Sequence, residues 1–298
     1  MPMSVKIVAD SLNVATGDRI TTVELLCPQP LWGEFLTHRL FSRNAGSGRA
    51  VPIKRFRETV LADPYVPASW KAAQKGMGAT KDMSDDDQRL AKVIWSGLLS
   101  ECASANERLE RMGVCKKQAN NAMRPFYMVP AVVTATEWRN FLKLRTNRET
   151  VEPDMYLMSV ELERLMKESK PVELRPGEWH LPYVTAGDML RLEEEPSMIS
   201  ACRLSAGRCA GVSFFRHGVD REPEDSIKLC RDTLESNGHW SPLEHPAMAL
   251  PERVMVGNFV GWWQFRKAFR SEDGGDVDAK VITGKESRER FADYSPLE

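Results

Sequence analysis

The sequence predicts a mixed α/β fold in which helices pack on a central sheet. Three observations carry that reading: β-prone apolar runs near the start, a long helical periodicity before residue 112, and helices that outnumber strands. Residues 5–8 form a short apolar run, and 20–27 hold Ile20, Val23, Leu25 and Leu26, so both read as strands. Residues 31–41 follow as a helix or its approach, with Trp32, Phe35, Leu36 and Leu40 at helical spacing. Polar, glycine-containing sequence at 42–48 reads as loop, and 64–87 as a long loop with a short helix near Trp70.

The strongest local signal is a helix over 85–112. Leu90, Ile94, Leu98, Cys102, Ala105, Leu109 and Met112 step by three or four into one apolar stripe. Three aspartates suit its positive N-terminal end, and Gly113 is a natural stop. A shorter helix is expected over 116–123, ending before Pro125, and another over 136–144 that buries Trp138, Phe141 and Leu142. Pro153 opens a helix through Met155, Met158, Leu162, Leu165 and Met166. Residues 169–196 read as an irregular connection with one short strand, and the small residues of 200–213 suit a closely packed helix. Residues 225–235 are amphipathic, with Ile227, Cys230 and Leu234 on one face and Gly238 as the stop. Trp262, Trp263 and Phe265 read as core or subunit interface. Together these elements predict one domain over 1–270, with 170–198 as a connecting segment and 271–298 as a charged, mobile tail.

Of 298 residues, 42% are hydrophobic and 28% charged, the balance of a soluble globular protein. Forty-one basic residues against 42 acidic ones leave a formal net charge of −1. That excludes a general nucleic-acid coat or a polybasic membrane anchor but leaves room for a local basic pocket. No apolar run approaches the ~18 residues that span a bilayer, and residues 1–10 lack a signal-peptide pattern. Six cysteines without a C-x-x-C pair suit reduced thiols in a cytoplasmic protein.

Two polar segments stand apart from the scaffold. Residues 37–49 gather His38, Arg39, Ser42, Arg43, Gly46, Ser47, Gly48 and Arg49. Guanidinium forks bind phosphate bidentately, hydroxyls add donors, and glycine lets the backbone approach, so this composition suits an anion site. A solvated surface loop is the alternative. Residues 238–245 place His239 and His245 around Glu244 after a helix stop. Histidine and glutamate are zinc ligands, but no third or fourth ligand stands at metal spacing, so no metal is expected. Gly76, Gly78 and Lys81 follow a phosphate-loop pattern only loosely, and no strand leads into them. His180 and His217 stand alone and read as structural histidines. There is no Gly-x-Ser-x-Gly elbow and no activated cysteine.

Together the two segments resemble the flavin-dependent thymidylate synthases. The family's R-H-R-x-x-S-x-N-x-x-S-x-R signature is matched by His38, Arg39, Ser42, Asn44, Ser47 and Arg49, with Thr37 at the first arginine. Its G-H-x-[ST]-P-[FL]-E-H segment is matched by Gly238, His239, Ser241, Pro242, Leu243, Glu244 and His245. Asn140, Phe141, Leu142, Leu144 and Arg145 follow its N-F-L-x-L-R, and Ala210, Val212, Ser213 and Phe214 its A-R-V-S-[FY]. The order is inverted, because in the family the last-named segment and the S-P-x-E-H segment come first. Read as a ring the order is restored, so the resemblance implies a circularly permuted member. Residues 50–85, 170–198 and the tail are unmatched.

The resemblance implies a homotetramer that holds FAD and nucleotide between subunits. It implies that NADPH reduces FAD, and that a one-carbon unit passes from methylenetetrahydrofolate to C5 of dUMP with no enzyme nucleophile on the pyrimidine. By position, Ser47, Gly48, Arg49 and Asn121 would hold the nucleotide, and Arg145 its pyrimidine ring. His38, Arg39, Asn44, His239, Ser241 and Glu244 would line the flavin, with Arg145 and His239 nearest the chemistry. No membrane or nucleic-acid partner is implied. Departures cluster in the pocket: Thr37, Thr134 and Thr136 at flavin positions, Asn121 for a phosphate-binding arginine, Val151 to Met155 for A-Q-x-E-I, and Glu34 for glutamine. An ionised glutamate only accepts hydrogen bonds, so Glu34 at the base's 4-position would favour cytosine's amine over uracil's O4. Pairing with Arg39 or Arg145 would remove that meaning. The alternatives are therefore the same chemistry on dCMP, ending at methyl or hydroxymethyl, and a non-catalytic nucleotide or flavin binder.

Overall fold

Strands β1 (Ser4–Asn13) and β2 (Arg19–Pro28) are each longer than the apolar runs that predict them, and they pair antiparallel. The computed structural model describes residues 3–75, 78–192, 198–214 and 222–269. His217, the Gly76 end of the phosphate-loop-like stretch and the 271–298 tail lie outside the described residues. A five-stranded sheet has the order β3-β4-β2-β1-β5, with β3 (Ser42–Ala45), β4 (Met128–Ala135) and β5 (Val172–Leu174) completing it. Its core runs through Val23, Leu25, Phe35, Phe126, Val133 and Phe141.

Two of these strands depart from the sequence reading. Residues 42–48 are polar and read as loop, yet β3 turns Ser42 and Asn44 inward against β4. Strand β4 is buried along its whole length and escapes notice because Pro130 interrupts its apolar run. Helix α1 (Gln29–Leu36) stops short of the predicted 41, and α2 (Ile53–Ala62) was not foreseen. Residues around Trp70 form no helix; Lys71 bridges to Asp82 instead.

Helix α3 (Asp85–Arg111) starts under Ser84, whose Oγ accepts the Asp87 N–H at 3.1 Å. It buries a face that shares Cys102 with the predicted stripe but otherwise differs from it. Trp95, Leu99, Cys102 and Ala103 pack on the core, while Leu90, Val93, Ile94 and Leu98 stay between 45% and 67% exposed. The helix carries two apolar stripes, and polar anchors decide between them. Trp95 Nε1 donates to Tyr65 O at 2.8 Å, and Asn106 Nδ2 donates to Ala119 O at 2.9 Å. Helix α4 (Lys116–Ala119) lasts one turn and passes into a 3-10 stretch, Asn120–Phe126, that includes Pro125. Helices α5 (Arg139–Arg145) and α6 (Pro153–Glu168) follow β4 and form largely as expected.

The predicted irregular connection holds β5, β6 (Trp179–His180) and α7 (Ala186–Arg191), so it is more ordered than one strand. Helix α8 (Met198–Gly211) is almost wholly buried, and α9 (Pro223–Leu229) crosses it at Gly207. A Cβ there would lie 2.1 Å from Ser226 O, so only glycine fits. Helix α9 runs into a π-helical turn, Cys230–Glu235, whose Glu235 takes two bonds from Arg203 at 2.8 and 2.7 Å. A second sheet has the order β10-β7-β6, with β7 (Ala247–Ala249) and β10 (Trp262–Gln264). A hairpin of β8 (Met255–Val256) and β9 (Phe259–Val260) lies beside it. Trp262, Trp263 and Phe265 are buried in this layer, so they are core and not an exposed subunit surface. Among the described residues no helix is long and apolar enough to cross a membrane.

Candidate functional site

The 45–50 turn and the 120–126 stretch are bolted together. Asn120 Nδ2 donates to Gly48 O at 2.6 Å and to Val51 O at 3.1 Å. Gly46 sits so close to the next wall that a Cβ would lie 2.7 Å from the Tyr127 hydroxyl. Between the two segments opens a cavity of about 340 Å³, lined by Ser47, Gly48 and Arg49 on one side and Lys117, Asn121 and Arg124 on the other. Trp32, Phe56 and Tyr127 give it an aromatic wall. Arg49, Lys117 and Arg124 pair with no carboxylate among the described residues, and no carboxylate lines the cavity. Three unpaired cations around polar donors make an anion receptor, and the aromatic wall suits a flat ring.

A second cleft, about 460 Å³, joins segments from opposite ends of the chain. Arg39 and Arg43 face Ser241, Glu244, Asn258, Gln264, Arg266 and Lys267. Ser42 Oγ donates to Glu244 Oε2 at 2.8 Å, and Gln264 Nε2 donates to Asn258 Oδ1 at 2.7 Å and Ser42 Oγ at 3.1 Å. Burial raises the Glu244 carboxyl above its ordinary range, while the Ser42 bond and the Lys267, Arg266 and Arg43 charges pull it back. Four cations around one carboxylate leave this cleft positive.

His38, Glu34 and Arg145 gather nearby but line neither cavity. The His38 ring lies 5.6 Å from Phe41 and 5.0 Å from Phe141, and its Nε2 is buried without a hydrogen-bond partner. Burial, then the Arg145 and Arg43 charges, hold His38 below the usual imidazole range. Arg145 grips Glu34 at 2.6 Å, leaving its own Nε buried without a partner. Glu34 therefore spends its carboxylate on Arg145. Glu152 caps α6 by accepting the Asp154 and Met155 N–H groups at 2.8 and 2.9 Å. Burial pushes it up to about 7, with Asp154 and Glu34 adding to the rise and the two backbone bonds opposing it.

The remaining expected site residues separate. Asn44, expected to line the flavin, is buried against His245 and lines neither cavity. His239 is exposed and lines neither cavity. Thr134 is buried and hydrogen-bonded to His245, and Thr136 Oγ1 accepts the Val260 N–H at 3.1 Å. The lining residues that sequence reasoning missed include Lys117 and Arg124 in the first cavity, and Asn258, Gln264, Arg266 and Lys267 in the second; Arg43 was read only as part of the 37–49 anion segment. The resemblance aligns the phosphate-binding arginine before the proline with Asn121, and the cavity is lined by both Asn121 and Arg124. Among the described residues no group of three or more His, Cys, Asp or Glu is placed to hold a metal ion.

No protein-family model matches the sequence, and no curated protein matches it. Among solved structures, the chain is similar to the UMP/dUMP methylase PolB from Streptomyces cacaoi bound with 5-Br UMP. That likeness has 15% identity and a TM-score of 0.48, over 56% of this chain and 89% of the other. The same enzyme bound with 5-Br dUMP gives 14% identity and a TM-score of 0.46, over 56% and 90%.

Proposed function

We propose that this protein transfers a one-carbon unit to C5 of a pyrimidine deoxynucleoside monophosphate, with dUMP the first candidate. One observation carries the reading. Ser47, Gly48, Arg49 and Asn121, expected to hold nucleotide from motif position alone, share one cavity with Lys117 and Arg124, and no carboxylate lines it. In this reading Arg49, Lys117 and Arg124 hold the phosphate, and Trp32, Phe56 and Tyr127 bound the base.

The second cleft fits FAD in its chemistry. Arg39, Arg43, Arg266 and Lys267 suit the dinucleotide's phosphates, and Ser241, Asn258 and Gln264 supply polar contacts. When bound, the flavin supplies the redox chemistry that, with NADPH and methylenetetrahydrofolate, turns a one-carbon unit into a methyl group. The chain's own part is to bind, orient and exclude water. No cysteine lines either cavity, and burial pushes the Cys27 thiol up to about 12 and raises those of Cys202, Cys209 and Cys230. This supports chemistry without a thiolate attacking the pyrimidine.

The two motif segments touch through Ser42 and Glu244 and through Asn44 and His245, which supports reading the chain as a circularly permuted relative of the flavin-dependent thymidylate synthases. In this reading the protein is a cytoplasmic homotetramer, and His38, Arg145 and His239 meet ligands completed by a neighbouring copy. The Glu34–Arg145 pair removes the motive for a cytosine preference. The test is a purified sample scanned for flavin absorbance, then incubated with dUMP, methylenetetrahydrofolate and NADPH before mass spectrometry. A yellow protein that converts dUMP to dTMP is expected; no flavin band even after FAD addition would overturn the reading.

A further inference from the structure

Six buried polar groups cross the molecule where the two sheets meet, one on each of five strands and one just before β7. Ser11 Oγ lies 2.9 Å from His180 Nδ1, and His180 Nε2 lies 2.8 Å from Thr22 Oγ1. Thr22 Oγ1 lies 2.7 Å from Thr134 Oγ1, which lies 2.7 Å from His245 Nδ1. His245 Nε2 then meets the Asn44 amide at 3.1 Å. None of the six is more than 8% exposed.

Protons can be counted along this row. A neutral imidazole carries one N–H, and a hydroxyl carries one O–H. Each inner imidazole donates once and accepts once, and an inner hydroxyl that accepted on both links would leave its O–H buried without a partner, so all five links run in one direction. Asn44 selects which. With its amide nitrogen toward His245 Nε2, the same nitrogen also reaches Arg43 O and Ser241 O at 3.2 Å, whereas an oxygen there would face carbonyl oxygens. The row therefore runs from Asn44 to Ser11, and both His245 and His180 carry their proton on Nδ1. A further proton on Nε2 would face the Asn44 N–H at His245 and the Thr22 O–H at His180. The charge that acts on His180 is Asp10, itself gripped by Arg19 at 2.8 and 2.6 Å, and the group that acts on His245 is His180.

We infer that Thr134 and His180 are positioning residues, acting through a one-way hydrogen-bond chain that sets the tautomer of His245 and aims the Asn44 amide at the 241–244 turn. That turn carries Ser241 and Glu244 into the second cleft. Only the ligand arm of the test below rests on reading that cleft as a flavin site.

Long-range ¹H–¹⁵N spectra of protein labelled at its five histidines separate the tautomers directly. Two neutral Nδ1–H histidines are expected at pH 7, unchanged at pH 5. Both should shift in Thr134→Val and return in Thr134→Ser. An Nε2–H pattern for both, or titration of either near ~6.5, overturns the chain, and the wild-type spectrum decides this alone if the valine variant fails to fold. In the ligand arm, Thr134→Val should bind FAD about tenfold more weakly, the scale of one hydrogen bond, with Thr134→Ser close to wild type. Undiminished affinity in Thr134→Val removes the positioning role. Wild-type protein that binds no FAD overturns the functional reading, while the tautomers still decide the chain.

Discussion

The Arg49 cavity and the row between the sheets are both polar, and they handle polarity in opposite ways. Along the row from Ser11 to Asn44 every ring nitrogen and hydroxyl has a partner within 3.1 Å. In the cavity three cations stand without a carboxylate. Buried polar groups are tolerated when every one is satisfied, and they then fix geometry. Unpaired cations are tolerated where water or an anion reaches them. A complete set of partners marks scaffold, and an incomplete set marks a place for a ligand.

Acid should break the row first and with the largest effect. Burial holds His180 and His245 at about 3, with Asp10 drawing His180 upward and His180 pressing His245 further down. Unfolded histidines titrate near ~6.5, so the unfolded chain binds more protons below that pH. Stability is full above ~6.5 and falls toward about 3, by about 1.4 kcal/mol per pH unit for each histidine. Circular dichroism should show unfolding well before pH 3, and a protein still native there would contradict the neutral pair.

Next in size, His180→Leu strips partners from the Ser11 and Thr22 hydroxyls and should cost about 3–5 kcal/mol in urea unfolding. His239→Leu, at an exposed ring, should change stability by less than about 0.5 kcal/mol. Equal effects would erase the distinction between row and surface. Arg49→Ala reverses the pattern, leaving stability unchanged while weakening dUMP binding by about 1.5–3 kcal/mol in calorimetry. Unaltered affinity would take Arg49 out of the site. The smallest effect belongs to Glu34→Gln. Its pair with Arg145 is partly exposed, so less than about 1 kcal/mol of stability should be lost, and the dUMP to dCMP preference should not move. A shifted preference in competition assays would restore Glu34 as a reader of the base.

The elements that declared themselves in sequence were those with one clear period or stop. α6 opens at Pro153 and buries Met155, Met158 and Leu162 as its spacing requires. α3 is legible as a helix but not in its buried face, because Leu90–Ile94–Leu98 and Trp95–Leu99 are both periodic and converge on Cys102. The indole bond to Tyr65 and the Asn106 amide help to separate the two stripes, and both are tertiary contacts. β3 hid behind its polar side chains, whose burial makes sense only once Glu244 and His245 lie against them. Around the first cavity, Ser47, Gly48 and Arg49 stand out in the sequence because motif and anion chemistry point to the same segment. Lys117 was not, since a lysine on a short helix has no local mark of its direction. His180 was read as a solitary structural histidine; its place in a row of six depends on strand register that one sequence does not display.

Ser42 and Glu244 are 202 positions apart, and that distance sets a timetable for a chain made from one end. The segments around the Arg49 cavity lie between Gln29 and Tyr127, so they leave the ribosome early. The wall of the second cleft, from Ser241 to Lys267, follows more than a hundred residues later. At roughly 5–20 residues per second that is an interval of about 6–23 s. Throughout it β3 is the outer strand of its sheet, with Ser42 and Asn44 lacking their later partners. Until residue 241 is made, a nascent chain carries every residue of the first cavity but not Glu244 and His245, the later partners of Ser42 and Asn44.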